Sequence, residues 1–117
     1  MTKLFLLNPD FQDSDSDHEG KRYYCPQCAM IEGLLRYYPQ LEKMIEIQRV
    51  DFKKPRQSIV EIIGTENQSC PVLIIENMPN NNVDISYFTR YGGKFFVNSP
   101  DLIARYLSEK FGIGISH

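Results

Sequence analysis

The sequence predicts one α/β domain in the order strand, helix, strand, helix, strand, strand, helix, with a four-stranded mixed sheet flanked by helices. Three observations carry this. Leu4-Phe5-Leu6-Leu7 and Val72-Leu73-Ile74-Ile75 are continuous apolar runs, the pattern of strands buried on both faces. Cys25-Pro26 and Ser99-Pro100 are helix starts, each with proline at the first helical position, where a missing N–H costs nothing. Between them, Ile45 to Val50 alternates apolar and polar residues, as a strand nearer a sheet edge does.

At 117 residues the chain is one domain, 1–117, long enough for a single core. Apolar residues make up 42% and charged residues 24%, as in a soluble globular protein. A net charge of −2 gives no electrostatic case for a nucleic acid or an anionic membrane as partner. The run from Met1 to Leu7 is too short for the apolar region of a signal peptide or for a membrane span. The expected compartment is therefore the cytoplasm. There a closely spaced cysteine pair serves catalysis or metal binding more often than it forms a structural staple.

The first strand stops at Asn8-Pro9. Residues 8–24 form a polar, Asp-rich connection that reads as a surface loop. Asp13, Asp15 and Asp17 alternate as in a calcium loop. However, the sixth position holds His18 rather than glycine, and the twelfth holds Tyr24 rather than Glu, so a solvated acidic loop is the default. The first helix runs from Cys25 to about Tyr37, with Ile31, Leu34, Leu35 and Tyr38 at helical spacing, and Pro39 ends it. Gln40 to Met44 adds a short turn. The second helix spans roughly Pro55 to Ile63, with Gly64 placed as a left-handed cap. Residues 77–93 read as a long polar loop with Tyr87, Phe88 and Tyr91 partly buried. Gly92-Gly93 then turns the chain into Lys94-Phe95-Phe96-Val97. With no helix between them, strands three and four suit antiparallel pairing. Ser99 as cap, Pro100 at the first position and Asp101 in the first turn start the last helix.

Cys25-Pro26-Gln27-Cys28 is the chemical motif. A helix start leaves N–H groups unpaired and carries positive partial charge. A cysteine at that position has its thiolate favoured and becomes the nucleophile, and Cys28, one turn in, is placed to resolve a mixed disulfide. Lys21 and Arg22 stand just upstream as a source of positive field. Half of a zinc site, a structural disulfide and chance are the other readings of an isolated Cys-x-x-Cys.

With Cys-Pro-x-Cys after strand one and a proline directly before strand three, the chain resembles the thioredoxin-like superfamily. Its glutaredoxin branch is the nearer match, and the N-terminal domain of glutathione transferases shares the topology. More closely, Phe-Leu-Leu-Asn-Pro, Tyr23-Tyr24-Cys25-Pro26-Gln27-Cys28-Ala29-Met30, Pro55-Arg56-Gln57 and Glu66-Asn67-Gln68-Ser69 resemble a small bacterial family of unknown function within that superfamily. The superfamily resemblance implies a thiol–disulfide oxidoreductase in which Cys25 attacks and Cys28 resolves. It implies a cis peptide before Pro71 and backbone pairing of Cys70 with the cysteinyl part of glutathione. It also implies that Asn98, Ser99 and Asp101 hold the γ-glutamyl group, at a helix N-terminus suited to an anion. Glutathione or a protein disulfide is the implied partner, glutathione acts as co-substrate, and no resident cofactor or metal is assigned.

The connection before Cys25 is longer than glutaredoxins usually have. The all-helical domain that completes a glutathione transferase is not expected. Cys70 is open to two readings. One is a small apolar filler. The other is a third reactive thiol, or a metal or iron–sulfur site built from Cys25, Cys28 and Cys70 with His18, since His117 is terminal. For Ser99 and Asp101 the plainer reading is helix capping alone. A non-catalytic binding module on the same fold, docking a protein or holding a metal, is the alternative function.

Overall fold

In the computed structural model, which describes residues 1–16, 19–77 and 83–117, the first apolar run lies within β1 (Thr2–Leu7). There follow α1 (Pro26–Tyr37), α2 (Leu41–Met44), β2 (Glu46–Val50), α3 (Gln57–Ile63), β3 (Val72–Ile75), β4 (Thr89–Tyr91), β5 (Lys94–Val97) and α4 (Pro100–Phe111). The strands form one mixed sheet in the order β2-β1-β3-β5-β4. β1 and β2 are parallel, while β3 runs antiparallel to β1, β5 to β3, and β4 to β5.

The two apolar runs are neighbouring inner strands. Side chains alternate across a strand, so each run feeds both faces. Leu4, Leu6, Leu73 and Ile75 join Cys28, Ile31 and Leu35 of α1 and Ile103, Tyr106 and Leu107 of α4 in the larger core. Phe5, Val72 and Ile74 pack on the other side with Ile59 and Ile63 of α3 and Phe96 of β5. β2, whose sequence alternates, lies at one edge.

The expected four strands are five. Thr89-Arg90-Tyr91 pairs with β5 across Gly92-Gly93, where Gly92 has φ +59°, a conformation glycine adopts without a steric penalty. All three residues of β4 are exposed. The strand therefore has no apolar signature and reads in sequence as loop. The aromatics around it divide. Phe88 packs edge-on against Tyr106 at 5.2 Å, whereas Tyr91 is exposed.

α3 begins at Gln57 rather than Pro55. Arg56 stands at its cap with φ −91° and ψ 82°, because its backbone N–H donates to Gln68 Oε1 at 2.7 Å instead of facing solvent. Gly64 ends α3 with φ +87° and ψ 167°, not as the expected left-handed cap. The Ile63 carbonyl accepts a hydrogen bond from Asn67 Nδ2 at 2.8 Å, so the chain leaves the helix extended. A Cβ on Gly64 would also lie 2.8 Å from the Tyr91 hydroxyl.

The base of the 8–24 connection is closed. Phe11 and Tyr23 exchange backbone hydrogen bonds of 3.0 and 2.8 Å, and the Phe11 ring stacks on Phe52 at 4.3 Å. Asp15 is exposed and Asp13 half-buried. Asp17 and His18, which the calcium and metal readings also need, lie outside the described residues. Among the described residues no helix is long and apolar enough to cross a membrane.

Candidate functional site

The strand register gathers the chemistry-bearing residues at one end of the sheet. Phe5 pairs with Val72, and Leu73 pairs with Val97. The C-terminal ends of β1 and β5 therefore lie beside the N-terminal end of β3. The chain enters α1 near the end of β1, enters β3 through Cys70-Pro71, and leaves β5 through Asn98-Ser99. Cys25, Cys70, Pro71 and Ser99 thus share one end of the molecule.

Cys25 is the cap of α1, with extended backbone (φ −84°, ψ 110°) and Pro26 at the first helical position. Its Sγ accepts the Cys28 backbone N–H at 3.1 Å, which satisfies one of the helix's orphan donors with sulfur. The Cys25 thiol also donates to the Cys70 carbonyl in a long contact of 3.8 Å. Cys25 is half-buried, whereas Cys28 is 2% exposed and belongs to the larger core. A cleft of about 200 Å³ opens beside them, walled by Leu7, Pro9, Tyr24 and Glu32. Both Cys70–Pro71 and Lys54–Pro55 peptides are cis, the first as the resemblance implies. All three cysteines are free thiols.

Burial pushes the Cys28 thiol up to about 12, helped by its hydrogen bond with Cys25 and opposed by the Leu7 backbone. Burial likewise pushes Cys70 up to about 11, against the pull of the Arg56 guanidinium. At neutral pH both are therefore protonated thiols. Cys25 is the member of the pair at the helix start.

Ser99 is the cap of α4, yet its hydroxyl makes no capping hydrogen bond, so the expected Ser cap holds in position only. Asn98 and Asp101 are exposed. The positive field expected from Lys21 is offset by an ion pair with Glu19 at 3.1 Å. Among the described residues no group of three His, Cys, Asp or Glu side chains converges to hold a metal ion.

Sequence reasoning missed Arg56 as a structural hub. It is 7% exposed. Its Nε and Nη2 donate to the Phe52 carbonyl at 3.0 and 2.7 Å, and its Nη1 donates to the Gln68 carbonyl at 2.7 Å. The segments Pro55-Arg56-Gln57 and Glu66-Asn67-Gln68-Ser69, both visible in the sequence as family-like, are thus clamped to one another directly before Cys70. Also missed was the Glu32–Arg49 fork, with bonds of 2.8 and 2.7 Å, whose Glu32 end lines the cleft.

A family model described as protein of unknown function (DUF3088) matches residues 1–115. No curated protein and no solved structure matches the chain.

Proposed function

The chain belongs to the DUF3088 family of proteins of unknown function, and for it we propose a thioredoxin-like, glutaredoxin-type fold that works as a thiol–disulfide oxidoreductase. The observation that carries this reading is the Cys25 sulfur at the start of α1, accepting the Cys28 N–H at 3.1 Å, with the buried Cys28 one turn in behind it. The parallel β1–β2 pair joined through α1 and the antiparallel β3 beside it support the same reading.

The chemistry has two exchanges. The Cys25 thiolate attacks one sulfur of a substrate disulfide. A Cys25 mixed disulfide forms and the other half of the substrate leaves as a thiolate, which takes up a proton. Cys28 then loses its proton and attacks Cys25 Sγ. The Cys25–Cys28 disulfide forms and the second substrate thiol leaves. Two electrons have passed from the protein to the substrate, and two glutathione thiols return them by the reverse exchanges.

The substrate is a glutathione-containing or protein disulfide. Tyr24 and Pro9 flank the cleft it enters, and Pro71 shapes the groove beside Cys70. Ser99 and Asp101 at the start of α4 suit the α-amino-acid end of glutathione, with open N–H donors for its carboxylate and an acid for its ammonium. The test is reduction of a small mixed disulfide with glutathione as electron source. The wild-type protein is expected to turn over and Cys25→Ser to be inert; undiminished activity in Cys25→Ser would sink the mechanism.

A further inference from the structure

Of the described charged residues only Arg56 is buried. Its guanidinium lies 5.4 Å from the centroid of the Phe52 ring, which Phe11 backs, and it donates to the Phe52 and Gln68 carbonyls. All of these partners are neutral. Among the described residues, none of the ion pairs includes Arg56. A buried cation with no counter-charge is costly. The Cys70 thiol follows two residues after the Gln68 carbonyl that the guanidinium grips, and the guanidinium pulls it toward its thiolate against burial.

Cys70 also stands against the reactive end of α1, because its carbonyl accepts from Cys25 Sγ at 3.8 Å. Cys28 has no comparable support. Burial, the thiols of Cys25 and Cys70 and the Leu7 backbone act on it, with no cation among them. Of the two thiols that surround Cys25, Cys70 is the one whose thiolate has a positive charge waiting.

We infer that Cys70 is a second resolving thiol, served by Arg56, and that oxidation of the protein partitions between a Cys25–Cys28 and a Cys25–Cys70 disulfide. This rests on the dithiol reading above. The step balances in the same way. Cys70 gives its proton to solvent and its thiolate attacks Cys25 Sγ in the mixed disulfide. The bond from Cys25 to the substrate sulfur breaks, and the substrate thiolate leaves and is protonated. Cys70 is then a catalytic residue, and Arg56 a positioning residue that stabilises its thiolate.

The test uses glutathione disulfide as oxidant, acid quench, alkylation and non-reducing peptide mapping on wild type, Cys28→Ser and Cys28→Ala. In wild type both disulfides are expected. In the Cys28 variants the Cys25–Cys70 disulfide is expected, with glutathione released. A Cys28 variant that stays glutathionylated at Cys25, with Cys70 free, overturns the inference while a wild-type Cys25–Cys28 disulfide leaves the dithiol reading standing. If wild-type Cys25 never enters a disulfide, both fall. In the Cys28→Ser background, Arg56→Gln is expected to slow closure several-fold, because the charge that draws Cys70 toward its thiolate is removed. Arg56→Lys should recover part of the rate. Equal closure rates with Arg, Lys and Gln would remove Arg56 from the step.

Discussion

Helices α1 and α4 begin with the same sequence device and use it differently. Both run for 12 residues from a proline at the first helical position, behind a cap residue with extended backbone. At α1 the cap side chain turns inward, and the Cys25 sulfur accepts the Cys28 N–H. At α4 the Ser99 hydroxyl takes no such bond, and Asp101 stands in the first turn, where α1 has no acid. The first start holds its own side chain in place through that bond, whereas the second makes no use of its cap side chain. A cap residue read from sequence therefore predicts where a helix begins, but not whether its side chain is used to cap it.

The sharpest way to break this contrast is to replace the side chain at each cap and read turnover. Cys25→Ser should lower disulfide reduction at least ~100-fold, since a serine hydroxyl cannot enter thiol–disulfide exchange. Ser99→Ala should change kcat less than about twofold, because no chemical step passes through it. Comparable losses in kcat would erase the distinction.

The next effect is on stability at high pH. The thiols of Cys28 and Cys70 have folded values raised above the ordinary cysteine range. Their contribution is fully present below the unfolded value, about 8.5. It is lost as pH rises through that value toward about 12 and about 11 respectively. Denaturant titrations of the reduced protein should show stability falling above about pH 9, by at most about 1.4 kcal/mol per thiol per pH unit. A Cys28→Ala/Cys70→Ala double variant should flatten the curve. A flat wild-type curve between pH 8 and 11 would contradict the burial of these thiols.

Smaller still is the effect at α4 on substrate. Loss of one hydrogen bond to glutathione costs about 1 kcal/mol, so Ser99→Ala should raise KM for a glutathione mixed disulfide about fivefold. An unchanged KM would say that the open start of α4 does not meet the substrate. The smallest contrast is in folding stability. Cys25→Ala should cost about 1 kcal/mol as a lost cap, and Ser99→Ala under about 0.5 kcal/mol, because only the first side chain makes a capping bond. Equal melting shifts would mean that the two starts are capped alike.

What could be read from sequence was whatever periodicity and backbone chemistry express locally. Leu4–Leu7 and Val72–Ile75 announce inner strands because both faces are apolar, and Cys25-Pro26 announces a helix start. The Thr89–Tyr91 strand stayed hidden, since an edge strand with every residue exposed buries nothing that a pattern could register. Arg56 stayed hidden for another reason. Its partners, Phe52 and Gln68, are engaged through backbone carbonyls, and a carbonyl looks the same on every residue. At the site, the spacing of Cys25 and Cys28 was legible, whereas the approach of Cys70 depends on the register of β3 against β1. Ser99 was legible as a cap position, but the direction of its hydroxyl was not.

The central claim is that Cys25 and Cys28 exchange a disulfide. Its most direct test is the redox midpoint of that pair, by titration in glutathione buffers with alkylation and intact mass. The dithiol mechanism predicts a two-electron couple at about −200 to −270 mV, the glutaredoxin-to-thioredoxin range. A pair that forms no disulfide at any glutathione poise would contradict it.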